Sequence, residues 1–137
     1  MRYLLDTNIC IHILRGNFGI ARIVEEIGDK NCFISEITKA ELLVGAVISE
    51  NSGHLRNAQA VRGFLNVIES VPVSGTLDLY AREKVRLRIA GQPIEDFDLL
   101  IACTAVSLGM VMVTENVSHF SRVSGIRLEN WAQRTGE

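Results

Sequence analysis

The stretch YLLDTN, residues 3–8, is a short apolar run that ends on an acid. Three consecutive apolar residues are typical of a strand in a buried parallel sheet, which takes hydrophobic side chains on both faces. A lone carboxylate at the end of such a strand is costly unless it has a partner. Asp6 therefore either caps a helix at the surface or meets a positive charge at the end of the strand.

Similar apolar runs recur along the chain and alternate with helical patterns. We predict strands at residues 3–5, 32–34, 71–73, 110–113 and 126–128, and helices at residues 8–14, 18–27, 36–48, 54–69, 77–90, 96–108 and 118–122. Asn17 is expected to cap the second helix, and Gly28 to end it. This alternation predicts an α/β fold, a three-layer α/β/α sandwich with a mainly parallel central sheet, in a single domain over residues 1–137.

The composition, the net charge and the cysteines indicate in which compartment the protein works and which partners it can bind. The chain is 47% hydrophobic and 22% charged, and its net charge of −2 gives no general affinity for nucleic acid, so RNA would bind through a local patch. Cys10, Cys32 and Cys103 are odd in number and lack C-x-x-C spacing, which favours a reduced setting. The chain shows no signal-peptide pattern and no apolar run long enough to span a bilayer. We expect a cytoplasmic protein with no membrane partner.

Three acids are expected near the carboxyl ends of the strands, where active groups gather in open parallel sheets. Asp6 ends the first strand, and Asp98 lies in the first turn of helix 96–108. Glu41 lies in helix 36–48, at the edge of an apolar stripe. The stripe consists of Ile37, Ala40, Val44, Val47 and Ile48. We expect this stripe to face the core, so that the carboxylate of Glu41 points inward.

Each acid also has an ordinary structural interpretation. Asp6 can cap a helix, Asp98 can complement a helix dipole, and Glu41 can form a buried pair with an arginine. Together, however, three carboxylates repel one another unless a cation lies among them. Oxygen ligands suit Mg²⁺ or Mn²⁺ rather than Zn²⁺, and the three histidines share no spacing that would form another metal site.

Four segments carry a resemblance to a known family: LLDTN (4–8), SEITKAELLVG (35–45), IEDFDLLIACTA (94–105) and VMVTENVSHFSRVSGIRLENW (111–131). Their order and spacing resemble those of the PIN domain and, more narrowly, of the VapC ribonuclease toxins of bacterial type II toxin–antitoxin pairs. The resemblance implies a PIN fold and an endoribonuclease that depends on Mg²⁺, with Mn²⁺ as a substitute. It also implies an RNA substrate and inhibition by a small cognate antitoxin of the VapB type.

The resemblance assigns roles to the three acids. Asp6, Glu41 and Asp98 match the catalytic acids of the family. It implies that Asp6 and Asp98 are metal ligands. Glu41 is a further ligand, directly or through water, or the group that orients the nucleophile. The number of metal ions, one or two, stays open; a second ion, if recruited with the substrate, would steady the leaving oxygen.

Four polar residues are expected to contact these acids or the substrate. Asn8 completes the first motif, and Thr114 lies in the fourth motif. Asn116 stands where many relatives carry a fourth acid, so it provides an amide oxygen without charge. Asp96 either supplies a substitute charge or caps its helix.

Four basic residues of helix 77–90 are candidates for RNA contact: Arg82, Lys84, Arg86 and Arg88. The first and third share one helix face, and the second and fourth share the opposite face, so only one pair can line a groove. Phe120 and Trp131 are expected in the core rather than as platforms for RNA bases.

The apolar residues of two helices indicate how the chain assembles. Helices 18–27 and 36–48 carry more apolar residues than one core-facing stripe needs, and exposed apolar patches mark interaction surfaces. The resemblance implies a homodimer, which we expect to form through these two helices. It also places an antitoxin segment near the acidic site.

Two other classes of protein compete with the nuclease. A receiver-type signalling domain requires paired acids after the first strand and a lysine after the last strand, and this chain has one acid and no such lysine. A catalytically weakened PIN module, kept for protein or RNA binding, is favoured by Asn116. The three retained acids weigh against that module.

Overall fold

The computed structural model describes residues 1–133 and contains a five-stranded sheet. The strands are β1 (Tyr3–Leu5), β2 (Cys32–Ser35), β3 (Glu69–Val71), β4 (Val111–Val113) and β5 (Leu128–Glu129). Their order is β3-β2-β1-β4-β5, and every neighbouring pair is parallel. All strands therefore end at the same edge of the sheet, which we call the carboxyl edge.

Helices cover both faces of the sheet. They are α1 (Thr7–Arg15), α2 (Ile20–Ile27), α3 (Glu36–Asn51), α4 (Leu55–Val67), α5 (Leu77–Ile89), α6 (Asp96–Leu108) and α7 (Val117–Phe120). Two short 3₁₀ turns lie at Asp29–Asn31 and Ser74–Thr76. The predicted three-layer α/β/α sandwich with a parallel sheet is confirmed.

Adjacent residues of β1 point into two different cores, as the alternation of a strand requires. Leu4 packs with buried residues of α5, α6 and α7, whereas Leu5 packs with buried residues of α1 to α4. Phe120 is buried in the first core and Trp131 in the second, as expected. Within residues 1–133, no helix is both long enough and apolar enough to cross a membrane.

The predicted core stripe of α3 is wrong. Val44, Val47 and Ile48 are exposed, and Ala40 is exposed as well. The face that is buried instead consists of Thr38, Leu42, Ala46 and Ser49. Two of these residues are polar, and their hydroxyl groups are satisfied by hydrogen bonds, so their burial carries no unpaired polar group.

Two smaller predictions are also wrong. The third strand lies at Glu69–Val71 and stops before Pro72, because proline has no N–H to donate to a ladder. Asn17 does not cap α2, which begins after Gly19 without a side-chain cap; the Asn17 amide instead contacts Nδ1 of His12. Gly28 ends α2 as expected.

The buried carboxylate of Glu83 pairs with Arg86 on α5 and joins that helix to the loop after α7. Oε1 and Oε2 of Glu83 accept hydrogen bonds from the Arg86 guanidinium at 3.0 and 2.6 Å, and Oε1 also accepts from the Ser124 N–H at 2.6 Å. The hydrogen bond from Arg86 lowers the pKa of Glu83 from 4.5 to about 2, against the opposing effect of burial. The charged form of Glu83 is therefore favoured in the folded protein.

We expect Glu83→Gln to lower the free energy of unfolding by about 1–3 kcal/mol at pH 7, because a hydrogen-bonded buried charge is lost. The folded pKa lies below the unfolded pKa, so the contribution of Glu83 is complete above pH 4.5 and disappears as the pH falls towards 2. Urea unfolding at pH 7 and pH 3 measures this difference. Asp78→Asn, which breaks only the exposed pair with Arg82, should leave stability unchanged. An equal loss for Glu83→Gln at both pH values would contradict this account.

Candidate active site

Asp6 lies at the carboxyl edge, directly after β1, and is only 6% exposed. Its Oδ1 accepts a hydrogen bond from the Thr7 N–H at 2.8 Å, so Asp6 is the N-cap of α1. Its Oδ2 accepts a hydrogen bond from the Thr114 hydroxyl at 2.9 Å. Each carboxylate oxygen thus has one donor and keeps a second lone pair for another ligand. The capping interpretation holds, and it leaves room for a cation.

Thr7 connects Asp6 to Glu41. The Thr7 hydroxyl donates to Oε1 of Glu41 at 2.8 Å, and it lies 3.0 Å from the hydroxyl of the fully buried Thr38. Because the single hydroxyl proton of Thr7 goes to Glu41, Thr38 must be the donor to Thr7. The predicted inward position of Glu41 is found, although the wrong face of α3 had been assigned to the core.

Asp98 is half-buried in the first turn of α6. Burial is the largest cause that raises the pKa of Asp6 to about 6, while hydrogen bonds from Thr114 and Thr7 oppose it. The negative charges of Asp98 and Glu41 raise the pKa of Asp6 further. Burial, and then the charge of Glu95, raise the pKa of Asp98. Asp98 and Glu41 are therefore each close enough to Asp6 for their charges to act on it.

The chemistry of these residues fits a hard divalent cation. Within the described part of the chain, no group of three or more His, Cys, Asp or Glu side chains is arranged so that it could hold a metal ion. Mg²⁺ does not need three protein ligands, because it keeps several waters and binds through one or two carboxylates. Asp6 is buried among acids and has free lone pairs, and Asp98 lies beside it; these residues would hold Mg²⁺ or Mn²⁺.

Thr114 and Asn116 follow β4 and extend the hydrogen-bond chain from Asp6. The buried Thr114 hydroxyl donates to Asp6 and accepts from the Asn116 N–H at 3.1 Å. The Asn116 side chain is exposed and makes no capping bond to α7, although it stands at the N-cap position. Asn8 is exposed on the first turn of α1.

Asp96 is not brought to the other acids. Its Oδ1 accepts a hydrogen bond from the Tyr80 hydroxyl at 2.6 Å and a short one from the Lys84 ammonium group. It does not cap α6, since Glu95 occupies the N-cap position. The hydrogen bond from Lys84 is the largest cause that lowers the pKa of Asp96. Asp96 joins α5 to α6 and stays charged there.

The basic residues of α5 form two pairs on opposite faces of the helix, as the sequence predicts. Arg82 pairs with Asp78, and Arg86 pairs with Glu83. On the opposite face, Lys84 and Arg88 line a cavity of about 250 Å³ next to the first turn of α6, and Lys84 is paired with Asp96 there.

Sequence reasoning missed a contact between α1 and the residues after β4. Nε2 of His12 forms a short hydrogen bond with Glu115, and Nδ1 of His12 lies 3.2 Å from the Asn17 amide nitrogen. Asn17 therefore donates to Nδ1, and His12 donates from Nε2 to Glu115. The partners are 103 residues apart. No local pattern connects them, so only the fold reveals the pair.

Comparison with known proteins agrees with this geometry. The family model of the PIN domain matches residues 3–126. The tRNA(fMet)-specific endonuclease VapC of Shigella flexneri is 31% identical over 133 residues, which cover 96% of this chain and 99% of that protein. Ribonuclease VapC1 of Haemophilus influenzae (strain R2866) is 33% identical over an alignment of 144 residues, which covers 97% of this chain and 100% of that protein. The crystal structure of VapBC2 from Rickettsia felis bound to a DNA fragment from their promoter is similar with a TM-score of 0.83 and 31% identity, covering 96% of this chain and 99% of that chain.

Proposed function

The chain belongs to the PIN-domain family, and from that premise we propose that it is a VapC-type endoribonuclease toxin, built as one PIN domain and neutralised by a VapB-like antitoxin. The observation that carries this proposal is the connected group of Asp6, Thr7 and Glu41 at the carboxyl edge, with Asp98 beside it. The matched relatives are named as ribonucleases over nearly their full length.

We propose that hydrolysis of the RNA phosphodiester bond depends on Mg²⁺, with Mn²⁺ as a substitute. When bound, the ion supplies positive charge to the phosphate oxygens and acidifies a water molecule. Asp6 and Asp98 would bind the cation. The Thr114 hydroxyl orients the Asp6 carboxylate by donating a hydrogen bond to its Oδ2. Thr7 fixes Glu41, which orients the attacking water and accepts its proton.

The antitoxin is expected close to these acids. A cavity of about 220 Å³ adjoins Thr7 and Glu41, and its wall includes the apolar Ile11 and Leu14 together with Arg15. An extended antitoxin segment that enters this cavity would cover the acids and block RNA. The crystal structure of VapBC2 supports the presence of a VapB-like partner.

The exposed stripe of α3 supports a homodimer. Val44, Val47 and Ile48 lie on one face and are 45–61% exposed, whereas the isoleucine and valine residues of α2 are buried or pack partly against the core. The dimer contact is therefore proposed through α3, and a contiguous aliphatic stripe of this kind is a liability in a monomer.

We expect Val47→Asp to convert the dimer into a monomer, because a charge would be buried in an apolar interface. Light scattering at micromolar concentration measures the molar mass. Val85→Asp is the matched control, since Val85 is similarly exposed but lies on α5, in the opposite helical layer. A wild-type monomer, or equal masses for all three proteins, would count against the α3 interface.

Short expression in a bacterial host, followed by sequencing of RNA 5′ ends, tests the function and identifies the substrate. The name of the Shigella flexneri relative makes tRNA(fMet) the first RNA to inspect. New 5′ ends should arise with the wild-type chain, should be absent with Asp98→Asn, and should be suppressed by the cognate antitoxin. A binding module without catalysis would give identical RNA profiles for the wild type and Asp98→Asn.

A further inference from the structure

The side chain of His12 is held on three sides, although it lies on the outer part of α1. Only 18% of the side chain is exposed. Its Nε2 donates to Glu115, and its Nδ1 accepts a hydrogen bond from the Asn17 amide at 3.2 Å. The Phe18 ring contacts the imidazole edge-on, with 4.8 Å between the ring centroids and an interplanar angle of 87°. The imidazole therefore has a fixed orientation and a fixed donor nitrogen.

The residues that follow α1 bend back to make these contacts. The N–H of Asn17 donates to the His12 carbonyl at 2.9 Å. Phe18 then has a φ of 59°, and within residues 1–133 it is the one residue other than glycine with a positive φ. A left-handed backbone is costly for an aromatic residue, so it persists only where the surrounding structure holds it. What this backbone provides is the contact of the Phe18 ring with His12.

Glu115 is the middle residue of a turn that belongs to the candidate active site. Thr114 precedes it and donates to Oδ2 of Asp6 at 2.9 Å, and Asn116 follows it. The Asn116 N–H closes the turn by donating to the Thr114 hydroxyl at 3.1 Å. A shift of Glu115 is therefore transmitted to the hydrogen bond that orients the Asp6 carboxylate.

Helix α1 holds this turn at two points. Asp6, the N-cap residue of α1, accepts the hydrogen bond from Thr114. His12, which lies about 9 Å further along the helix axis, donates to Glu115. A single hydrogen bond is a pivot about which the turn can rotate, and a second attachment at another height of the helix stops that rotation.

Stability does not explain the pair of His12 and Glu115. Exposed ion pairs contribute little to the free energy of unfolding, and 40% of the Glu115 side chain is exposed. The pair of Arg82 with Asp78 is of this ordinary kind, with 76% and 83% of the two side chains exposed. The first pair differs because its histidine is sheltered and oriented by two neighbouring side chains.

We propose that His12 is a positioning residue for the cleavage reaction: through Glu115 it fixes the 114–116 turn and, with it, the Thr114 hydroxyl that orients Asp6. This inference rests on the proposed ribonuclease function. In this role the imidazole transfers no proton and contacts no substrate. It keeps the Asp6 carboxylate aligned in advance, so that no reorganisation is needed when a cation and RNA bind.

Four variants separate the geometry of the pair from its charge. His12→Phe keeps a ring against Phe18 but donates no hydrogen bond, and Glu115→Ala removes the acceptor. His12→Gln keeps a donor close to the position of Nε2, and Glu115→Gln keeps an acceptor oxygen without the charge. We expect the first two variants to lose activity and the last two to retain it. Asp78→Ala, which breaks the exposed pair with Arg82, is the matched control and should change nothing.

Steady-state kinetics on a labelled RNA measure the loss. His12→Phe and Glu115→Ala should each lower kcat by about tenfold, which is typical for the loss of a group that supports a metal ligand through another residue. The KM for RNA should stay within about twofold of the wild type, since neither side chain is placed against the substrate. The Mg²⁺ concentration for half-maximal cleavage should rise. The double variant should lose no more than either single variant, because the two side chains act as one pair.

Amide hydrogen exchange, measured by NMR in EDTA and without RNA, reports on the turn itself. The Asn116 N–H donates to the Thr114 hydroxyl, so its exchange should become about tenfold faster when His12→Phe releases the turn. Glu115→Ala should have the same effect, and its exposed side chain can be removed without leaving a cavity. The Thr114 N–H donates to the Glu129 carbonyl at 3.0 Å and should exchange at the wild-type rate in both variants.

Faster exchange at Asn116 and a lower kcat in His12→Phe, with recovery of both in His12→Gln, would support the positioning role. Wild-type exchange and kcat in His12→Phe would overturn it. A loss in Glu115→Gln as large as in Glu115→Ala would also overturn it, because the charge of Glu115 would then matter rather than its bond to His12. Absence of RNA cleavage by the wild-type chain would overturn the proposed function, whereas the exchange rates would still show whether His12 holds the turn.

Discussion

Asp98→Asn is expected to lower the rate of RNA cleavage by about a hundredfold to a thousandfold without disturbing the fold. Asp98 is half-buried at the first turn of α6, and asparagine keeps its shape while removing the charge that attracts a cation. Asp6→Asn and Glu41→Gln should have losses of the same order, because each removes one of the three interacting charges. Initial rates on a labelled RNA at saturating Mg²⁺ measure the effect.

The unfolding temperatures of the three acid variants are the control for their activity losses. Burial disfavours the charge of Asp6, so Asp6→Asn should unfold at the same temperature as the wild type or higher when both are measured in EDTA. Asp78→Asn, which changes an exposed acid of α5, should retain full activity. Retained cleavage in Asp98→Asn, or a lost fold in all three acid variants, would contradict the assigned roles.

Thr114→Val should lower the cleavage rate by about tenfold to a hundredfold, which is typical for the loss of a group that orients a metal ligand. Valine fills the same space but cannot donate to Oδ2 of Asp6, and it leaves the Asn116 N–H without its acceptor. The Mg²⁺ concentration needed for half-maximal cleavage should rise, because the Asp6 carboxylate becomes free to rotate.

Thr114→Ser is the matched control, since serine keeps the hydroxyl that joins Asp6 to Asn116. It should retain most of the activity and the wild-type dependence on Mg²⁺. If Thr114→Val and Thr114→Ser behaved alike, the Thr114 hydroxyl would have no part in holding Asp6.

The sequence can predict that side chains such as Asp6 and Thr114 come together, because their positions follow from topology. Parallel strands end at one edge, so an acid after the first strand and acids in the helices that follow later strands converge there. Asp6 and Thr114 illustrate this, since each directly follows a strand and they share a hydrogen bond. The helix boundaries also follow from local signals such as Gly109, which ends α6 with a φ of 65°.

The remaining features depend on contacts that no local pattern encodes. Helix α3 has an aliphatic face and a face that includes Thr38 and Ser49, and hydrophobicity alone selects the wrong one for the core. The polar face is buried because Thr38 meets Thr7 and Ser49 accepts a hydrogen bond from Asn57 at 2.6 Å. Similarly, nothing in the sequence near Asp96 shows that Lys84 holds it away from the acids.

The most direct test of the account is a reversal experiment on purified wild-type protein and a labelled single-stranded RNA. We expect cleavage with Mg²⁺, complete loss after addition of EDTA, and recovery when excess Mg²⁺ or Mn²⁺ is added back. The Asp98→Asn protein should remain inactive at every step. Undiminished cleavage in EDTA, or equal cleavage by Asp98→Asn, would contradict a cation-dependent ribonuclease centred on Asp6, Glu41 and Asp98.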